Sequence, residues 1–157
     1  MFLAAATLLL ALPASTPAAP TTTGPAFFSA HRDRFFAKLP PGALAVFHAA
    51  PETSVETSPD PYRQDSDFWY LTGFEEPGSV AVLIPSSSGA SRFVLFVRPR
   101  DFAAEQWTGW RAGVDGAKKD FGAEAYPAAD FWSRFAALAA SAQSLYYETG
   151  GDEAFGM

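Results

Sequence analysis

Tyr62 to Phe74 reads YRQDSDFWYLTGF, a charged turn joined to an aromatic run, and these thirteen residues organise everything around them. Asp65 and Asp67 stand two apart beside Arg63. Short carboxylates in that setting accept backbone amides, and a carboxylate matches a guanidinium with two hydrogen bonds, so the pair is expected to build a turn and orient Arg63. An acid-base role for the two would need a sheltered pocket as well. Phe68 to Leu71 has strand character. Gly73, followed by Glu76-Pro77-Gly78, predicts a tight turn, with Pro where its ring already fixes the backbone angle and Gly where a positive φ is needed.

Outward from this stretch the chain alternates between elements. Ser79 to Ile84 and Phe93 to Val97 are nearly all apolar, which predicts strands buried on both faces. The PSSSGAS between them is a hairpin loop. Upstream, Ala43 to Ala49 predicts a buried strand, and Pro51 to Tyr62 is too polar and too broken for regular structure, so it reads as an exposed loop. Before Pro40-Pro41-Gly42, Ser29 is expected to cap a helix over Ala30 to Lys38, with Phe28 and Phe35 as its apolar anchors. Downstream, Asp101 is expected to cap a short helix from Phe102, with Glu105 favouring its positive end. Two further helices are predicted, over Asp115 to Phe121 and over Ala128 to Ala142, the second with Phe131, Phe135 and Leu138 on one stripe; Leu145 to Tyr147 makes a last strand. The expected fold is α/β, a single layered domain with a mixed sheet of five or six strands flanked by three or four helices.

The chain has 157 residues, 48% apolar and 15% aromatic, which suits one domain with one good core. Its formal charge is -6, and every acidic and basic residue lies after residue 30, so clustered cations for a nucleic-acid partner are lacking. Phe2 to Leu12 is an apolar run broken by Thr7, and Pro13 to Gly24 is Pro, Thr and small residues. Residues 1–24 read as a signal peptide and flexible leader, which makes the protein exported, periplasmic or secreted. The alternative is a mis-assigned start or an uncleaved anchor, since no Lys or Arg precedes the run. Cysteine is absent, and a core of this size can do without disulfides. Residues 25–157 form the globular part. Asp152-Glu153-Ala154-Phe155 begins a further element that Gly156-Met157 cuts short, which reads as a truncated product or a fragment of a longer reading frame.

The chain carries no His-Glu-x-x-His spacing, no Gly-x-Ser-x-Gly elbow and no Cys, so neither a hydrolytic metal site nor a familiar nucleophile is visible. His31, in the first predicted helix, and His48, ending a strand, lack an acidic partner at ligand spacing and read as packed or solvated imidazoles. No residue is assigned a catalytic role and none a metal.

Three blocks together carry a family resemblance: Tyr62 to Phe74, the following EEPGSVAVLI of Glu75 to Ile84, and RPRDFAAEQWTGWRAG of Arg98 to Gly113, where an Arg-Asp pair precedes Glu-x-Trp and Arg-x-Gly. In that order they resemble the N-terminal domain of aminopeptidase P, the Xaa-Pro aminopeptidases related to prolidase and creatinase. The likeness runs loosely from Phe27 to the end of the chain. It implies a creatinase N-terminal-domain-like fold with Arg63, Asp65, Asp67, Gly73, Asp101 and Arg111 as structural motif positions. It further implies that the chemistry resides in a following domain of pita-bread shape, whose five ligand positions have no counterpart here. There two divalent ions, typically manganese, would activate a water against the bond before proline; this chain itself is expected to hold no cofactor.

For Trp107 the resemblance implies a share in substrate handling, because in tetrameric relatives this domain lends an aromatic side chain to a neighbour's pocket. An indole packs well on a proline ring. Core or interface packing is the equal alternative. Arg111 is expected to close the same helix or to contact a neighbouring chain, and Trp110 and Trp132 are expected to pack. The favoured function is the non-catalytic domain of an exported Xaa-Pro aminopeptidase, inactive alone, serving oligomerisation and shaping of the substrate pocket. Its expected partners are the catalytic domain, further copies of itself and proline-containing peptides. The alternatives are a free-standing peptide-binding or regulatory domain, and a small enzyme using residues not grouped above.

Overall fold

Apolar runs at the centre of the chain set the architecture. In the computed structural model, which describes residues 24–52, 62–86 and 88–147, they become the middle of a five-stranded sheet. The strands are β1 (Ala43–His48), β2 (Val80–Ile84), β3 (Arg92–Val97), β4 (Glu124–Pro127) and β5 (Ser144–Tyr147), in the order β4-β3-β2-β1-β5. β2 pairs antiparallel with β1 and β3, while β4 follows β3 and β5 follows β1 in parallel. Only β2 therefore runs against the rest, and the C-terminal ends of β1 and β3 meet the start of β2 at one end of the sheet.

Alternation along the strands sends side chains to two cores. Ala45, Ala81, Leu83, Phe93, Leu95 and Val97 lie on one face under Phe68, Leu71 and Phe74. Leu44, Val46, Val82, Val94 and Phe96 lie on the other, against Phe131, Phe135 and Leu138. The expected stripe on the last long helix is thus the one that packs, and β3 is buried on both faces as its continuous apolar run requires. The helices are α1 (Pro25–Phe36), α2 (Ser66–Thr72), α3 (Phe102–Thr108), α4 (Gly113–Phe121) and α5 (Phe131–Ala139). The single α/β domain with a mixed sheet is as expected, with five α-helices where three or four were anticipated.

Four local expectations are corrected. Phe68 to Leu71 is helix, within α2, because Asp65 caps it by accepting from the Phe68 amide at 2.7 Å and Gly73 ends it in the left-handed conformation, φ 69°. Ser29 caps nothing: α1 begins four residues earlier, with Gly24 as N-cap and Pro25 at the first helical position, where its missing N–H costs no bond. The helix expected over Ala128 to Ala142 opens as a 3₁₀ turn, Ala128–Asp130, and closes at Ala139. The strand β4 was not anticipated; it is four residues long, pairs only with β3 and ends in Pro. Asp101 caps α3 as predicted, accepting from Ala103 and Ala104 at 3.0 and 3.1 Å. The proposed leader, most of the Pro51 to Tyr62 loop and the chain end after Tyr147 lie outside the described residues. Among the described residues no helix is long and apolar enough to cross a membrane.

Candidate functional site

Where the strands β1 and β3 end, three loops converge, and Gln64, a polar side chain not singled out above, ties two of them together. Gln64 accepts at Oε1 from the Ala50 amide at 2.7 Å and from the Asp65 amide at 2.9 Å. Its Nε2 donates to the carbonyls of Phe74 and Glu76, at 3.2 and 3.3 Å. All four of its hydrogen-bonding positions are used, so Gln64 rivets the strand β1 exit to both flanks of α2. Thr72 finishes the same corner: its hydroxyl donates to the Phe68 carbonyl at 2.8 Å and accepts from the Phe74 amide at 3.0 Å.

Asp65 therefore does half of what was expected of it. It holds a backbone amide, but among the described residues neither Asp65 nor Asp67 forms an ion pair with Arg63; Asp67 instead sits in the first turn of α2, where a carboxylate suits the positive end of the helix.

Beside this corner lies a cavity of 460 Å³ whose walls include Tyr62, Phe74, Glu76, Arg98, Trp110 and Ala112. Arg98 reaches Glu52 at 3.2 Å across its rim. Burial pushes the Tyr62 phenol up to about 12. Burial also raises the Glu76 carboxyl, although the hydrogen bond from Ala112 and the positive charges of Arg98 and Arg111 pull the other way.

From the end of β3 an excursion leaves the sheet, carried by α3 and returning through Gly109 to Ala112. Asp101 starts it by capping α3. Arg100 pairs with Glu105, Nε to Oε1 at 2.9 Å, and lies 4.7 Å from the Phe102 ring and 5.7 Å from the Trp110 ring. Phe102, Trp107 and Trp110 are 74, 89 and 63% exposed, so this short arm displays three large aromatic faces. Exposure of that degree removes core packing from the alternatives for Trp107; Trp110 and Trp132 are exposed too, though Trp132 packs edge-on to Phe131 at 4.9 Å. Arg111 does not close α3, which ends at Thr108 with Gly109 as its cap; it lies in the connector leading to α4.

His31 lies on α1, away from this end, whereas His48 is the last residue of β1 and stands at it. His31 is buried on α1, donates through Nδ1 to the Tyr70 carbonyl at 3.0 Å, and stacks on the Tyr70 ring at 3.9 Å. Burial lowers the His48 imidazole. Among the described residues no three of His, Cys, Asp and Glu converge to hold a metal ion.

Comparison with known proteins places this geometry. The model of the aminopeptidase P N-terminal domain matches residues 28–147. The Xaa-Pro aminopeptidase of Escherichia coli is 46% identical over 98 residues, 62% of this chain and 22% of that protein. Its Haemophilus influenzae counterpart is 35% identical over 122 residues, 76% of this chain and 28% of the relative. Among solved structures, aminopeptidase P from E. coli superposes with a TM-score of 0.75 at 35% identity, covering 83% of this chain and 30% of that one. The Pseudomonas aeruginosa aminopeptidase PepP gives 0.72 at 38%, covering 80% and 29%. The chain thus spans less than a third of the length of these relatives. With its mixed sheet, its capped α2 corner and its aromatic arm all within the matched region, the chain belongs to the aminopeptidase P N-terminal domain family.

Proposed function

We propose that this chain is the non-catalytic N-terminal domain of an exported Xaa-Pro aminopeptidase, and that it shapes the substrate pocket with the aromatic arm while joining copies of the enzyme into an oligomer. The observation that carries the reading is the arm itself: Phe102 and Trp107 on a helix held by Asp101 and Arg100, and Trp110 on the connector after it, stand out from a single-domain fold. Three rigid apolar faces exposed on one arm are costly in water and suit a surface that another domain or subunit covers. Trp107, the most exposed, offers an indole face of the kind that packs on a proline ring.

Catalysis in this reading belongs to a following domain with two divalent ions, manganese in preference. A relative from E. coli has been studied as a zinc-substituted enzyme in complex with product and with the inhibitor Pro-Leu, which supports both a metal requirement and a proline-containing ligand. Residues 1–24 act as the export signal and leader.

The test is a fusion in which residues 28–147 replace the matched segment of the E. coli enzyme, assayed with an Xaa-Pro peptide and manganese. Turnover by the fusion, a raised KM on Trp107→Ala, and silence from the isolated chain are expected. Turnover by the isolated chain, or a KM indifferent to Trp107, would overturn the proposal; peptide binding by the isolated chain without any gain in the fusion would favour a free-standing recognition domain instead.

A further inference from the structure

The arm has a foot on each side. On the outgoing side, Arg100 is held by Glu105, and Gly113 on the returning side packs so closely that a Cβ there would stand 2.6 Å from the Arg100 Cγ. Gly113 also needs φ 62°, so the mouth of the excursion is closed by backbone against side chain. That contact fixes where the arm begins and ends. It does not fix how the returning segment, Gly109 to Ala112, sits over the cavity.

A long-range bond reaches that segment from the turn before β2. Glu76 Oε1 accepts from the Ala112 amide at 2.6 Å, across 36 residues of sequence. Ala112 is itself buried and is the N-cap of α4, with no side-chain bond of its own to offer that helix. The Glu76 main chain is in turn held by Gln64 Nε2 at 3.3 Å, so the α2 corner, the turn before β2 and the returning segment form one connected chain of hydrogen bonds. The second carboxylate oxygen, Oε2, is buried without a hydrogen-bond partner among the described residues. The carboxylate is half-buried and also feels the positive charges of Arg98 and Arg111, and the bond to the Ala112 amide is what ties it to the returning segment.

We infer that Glu76 is a positioning residue for the aromatic arm: by holding the Ala112 amide it fixes the returning segment, and through it the orientation of Trp110 and Trp107. The inference deepens the pocket-shaping role proposed above and rests on it for its consequence in catalysis, while the bond and its effect on the arm stand independently. Glu76 touches neither substrate nor metal in this account; it acts through the tryptophans.

The test therefore has two arms. In the chain itself, labelled with 5-fluorotryptophan, Glu76→Ala is expected to speed exchange of the Ala112 amide by about tenfold or more, as loss of a charge-assisted bond should. The fluorine signals of Trp107 and Trp110 should shift or broaden, while those of Trp69 and Trp132 stay in place. Glu76→Gln retains the Oε1 acceptor and should restore Ala112 protection and both signals, even if its amide nitrogen lowers overall stability. Unchanged exchange and unchanged fluorine spectra in Glu76→Ala overturn the inference outright, and equal broadening of all four signals overturns it by revealing general loosening. In the fusion, Glu76→Ala should raise KM by the factor seen for Trp107→Ala, leave kcat within about twofold, and add nothing in the Trp107→Ala background. A KM that responds to Trp107 but not to Glu76 refutes the positioning role, whereas a KM indifferent to Trp107 refutes the pocket-shaping reading and leaves the exchange and fluorine results to decide on Glu76.

Discussion

Replacing Gly73 by Ala should be among the most damaging single-methyl changes available to this domain. Gly73 ends α2 at φ 69°, and a Cβ built there would stand 2.5 Å from Cδ2 and 2.7 Å from Cζ of Phe28. Two costs add. An L-residue in the left-handed region loses about 1–2 kcal/mol. The buried Phe28 ring, which packs edge-on to Trp69 at 5.4 Å, must then leave its rotamer or push α1 from α2, an overpacking term of about 1–3 kcal/mol. The total is about 2–5 kcal/mol, which in urea lowers the unfolding midpoint by about 1–2 M for a domain of this size. Gly122 supplies the control: it also caps a helix at positive φ, 67°, but nothing lies within 4 Å of its Cβ position. Gly122→Ala should therefore show the backbone term alone, about 1–2 kcal/mol. In a Phe28→Ala background Gly73→Ala should fall to that same value, because the obstructing ring is gone. Equal midpoints for Gly73→Ala and Gly122→Ala, or a Gly73→Ala effect that Phe28→Ala does not reduce, would refute the steric argument.

Other outcomes follow from the same geometry. Trp107→Ala should change the free energy of unfolding by no more than about 0.5 kcal/mol, since the side chain is 89% exposed; a larger loss by urea titration would mean that the indole supports the fold. Asp101→Ala removes both amide bonds at the start of α3 and should cost that helix about 1 kcal/mol, seen as faster exchange of the Ala103 and Ala104 amides with the sheet unaffected. Glu124 is pushed up by burial, but the Tyr126 hydroxyl at 2.6 Å and a two-oxygen bond from Arg92 hold its carboxyl below the usual range on balance. Its contribution is present above the unfolded pKa and lost as pH falls through the lower folded value, so the stability gap between the parent and Glu124→Gln should close in acid. At neutral pH that gap should be only about 0.2–1 kcal/mol, because both partners are well exposed.

Much of the architecture could be read directly because burial dictates it. The runs Ser79 to Ile84 and Phe93 to Val97 have no polar face, and only the centre of a covered sheet accepts such segments. The α2 segment shows where this reasoning slips. FWYL is rich in residues that favour strands, yet Asp65 three residues before Phe68 and Gly73 just after Thr72 are a helix start and stop, and in so short a segment the ends outweigh the middle. The same holds for Pro25, whose preference for the first helical turn set the start of α1 ahead of the more familiar Ser. Strand β4 was invisible because EAYP is short, ends in Pro and is held from one side only. At the site, Asp101 was legible since its partners are two and three residues away. Gln64 and Glu76 were not: their partners lie 14 and 36 residues off, a relation only the folded topology creates.

The pairing of β1 with β5 brings together residues about 100 positions apart, Val46 beside Tyr147. Closing so long a loop is slow to be repaid, since its entropy is lost before distant contacts reward it, whereas the β2–β3 hairpin needs only neighbouring residues. On the ribosome, at about 5–20 residues per second, β1 emerges on the order of 5–20 seconds before the strand that will cover its outer edge. For that interval an apolar strand offers an open ladder of backbone groups to any passing chain. The domain's vulnerability to aggregation is therefore greatest during its own synthesis, and a partner that binds early along β1 would protect it when the finished fold needs no help.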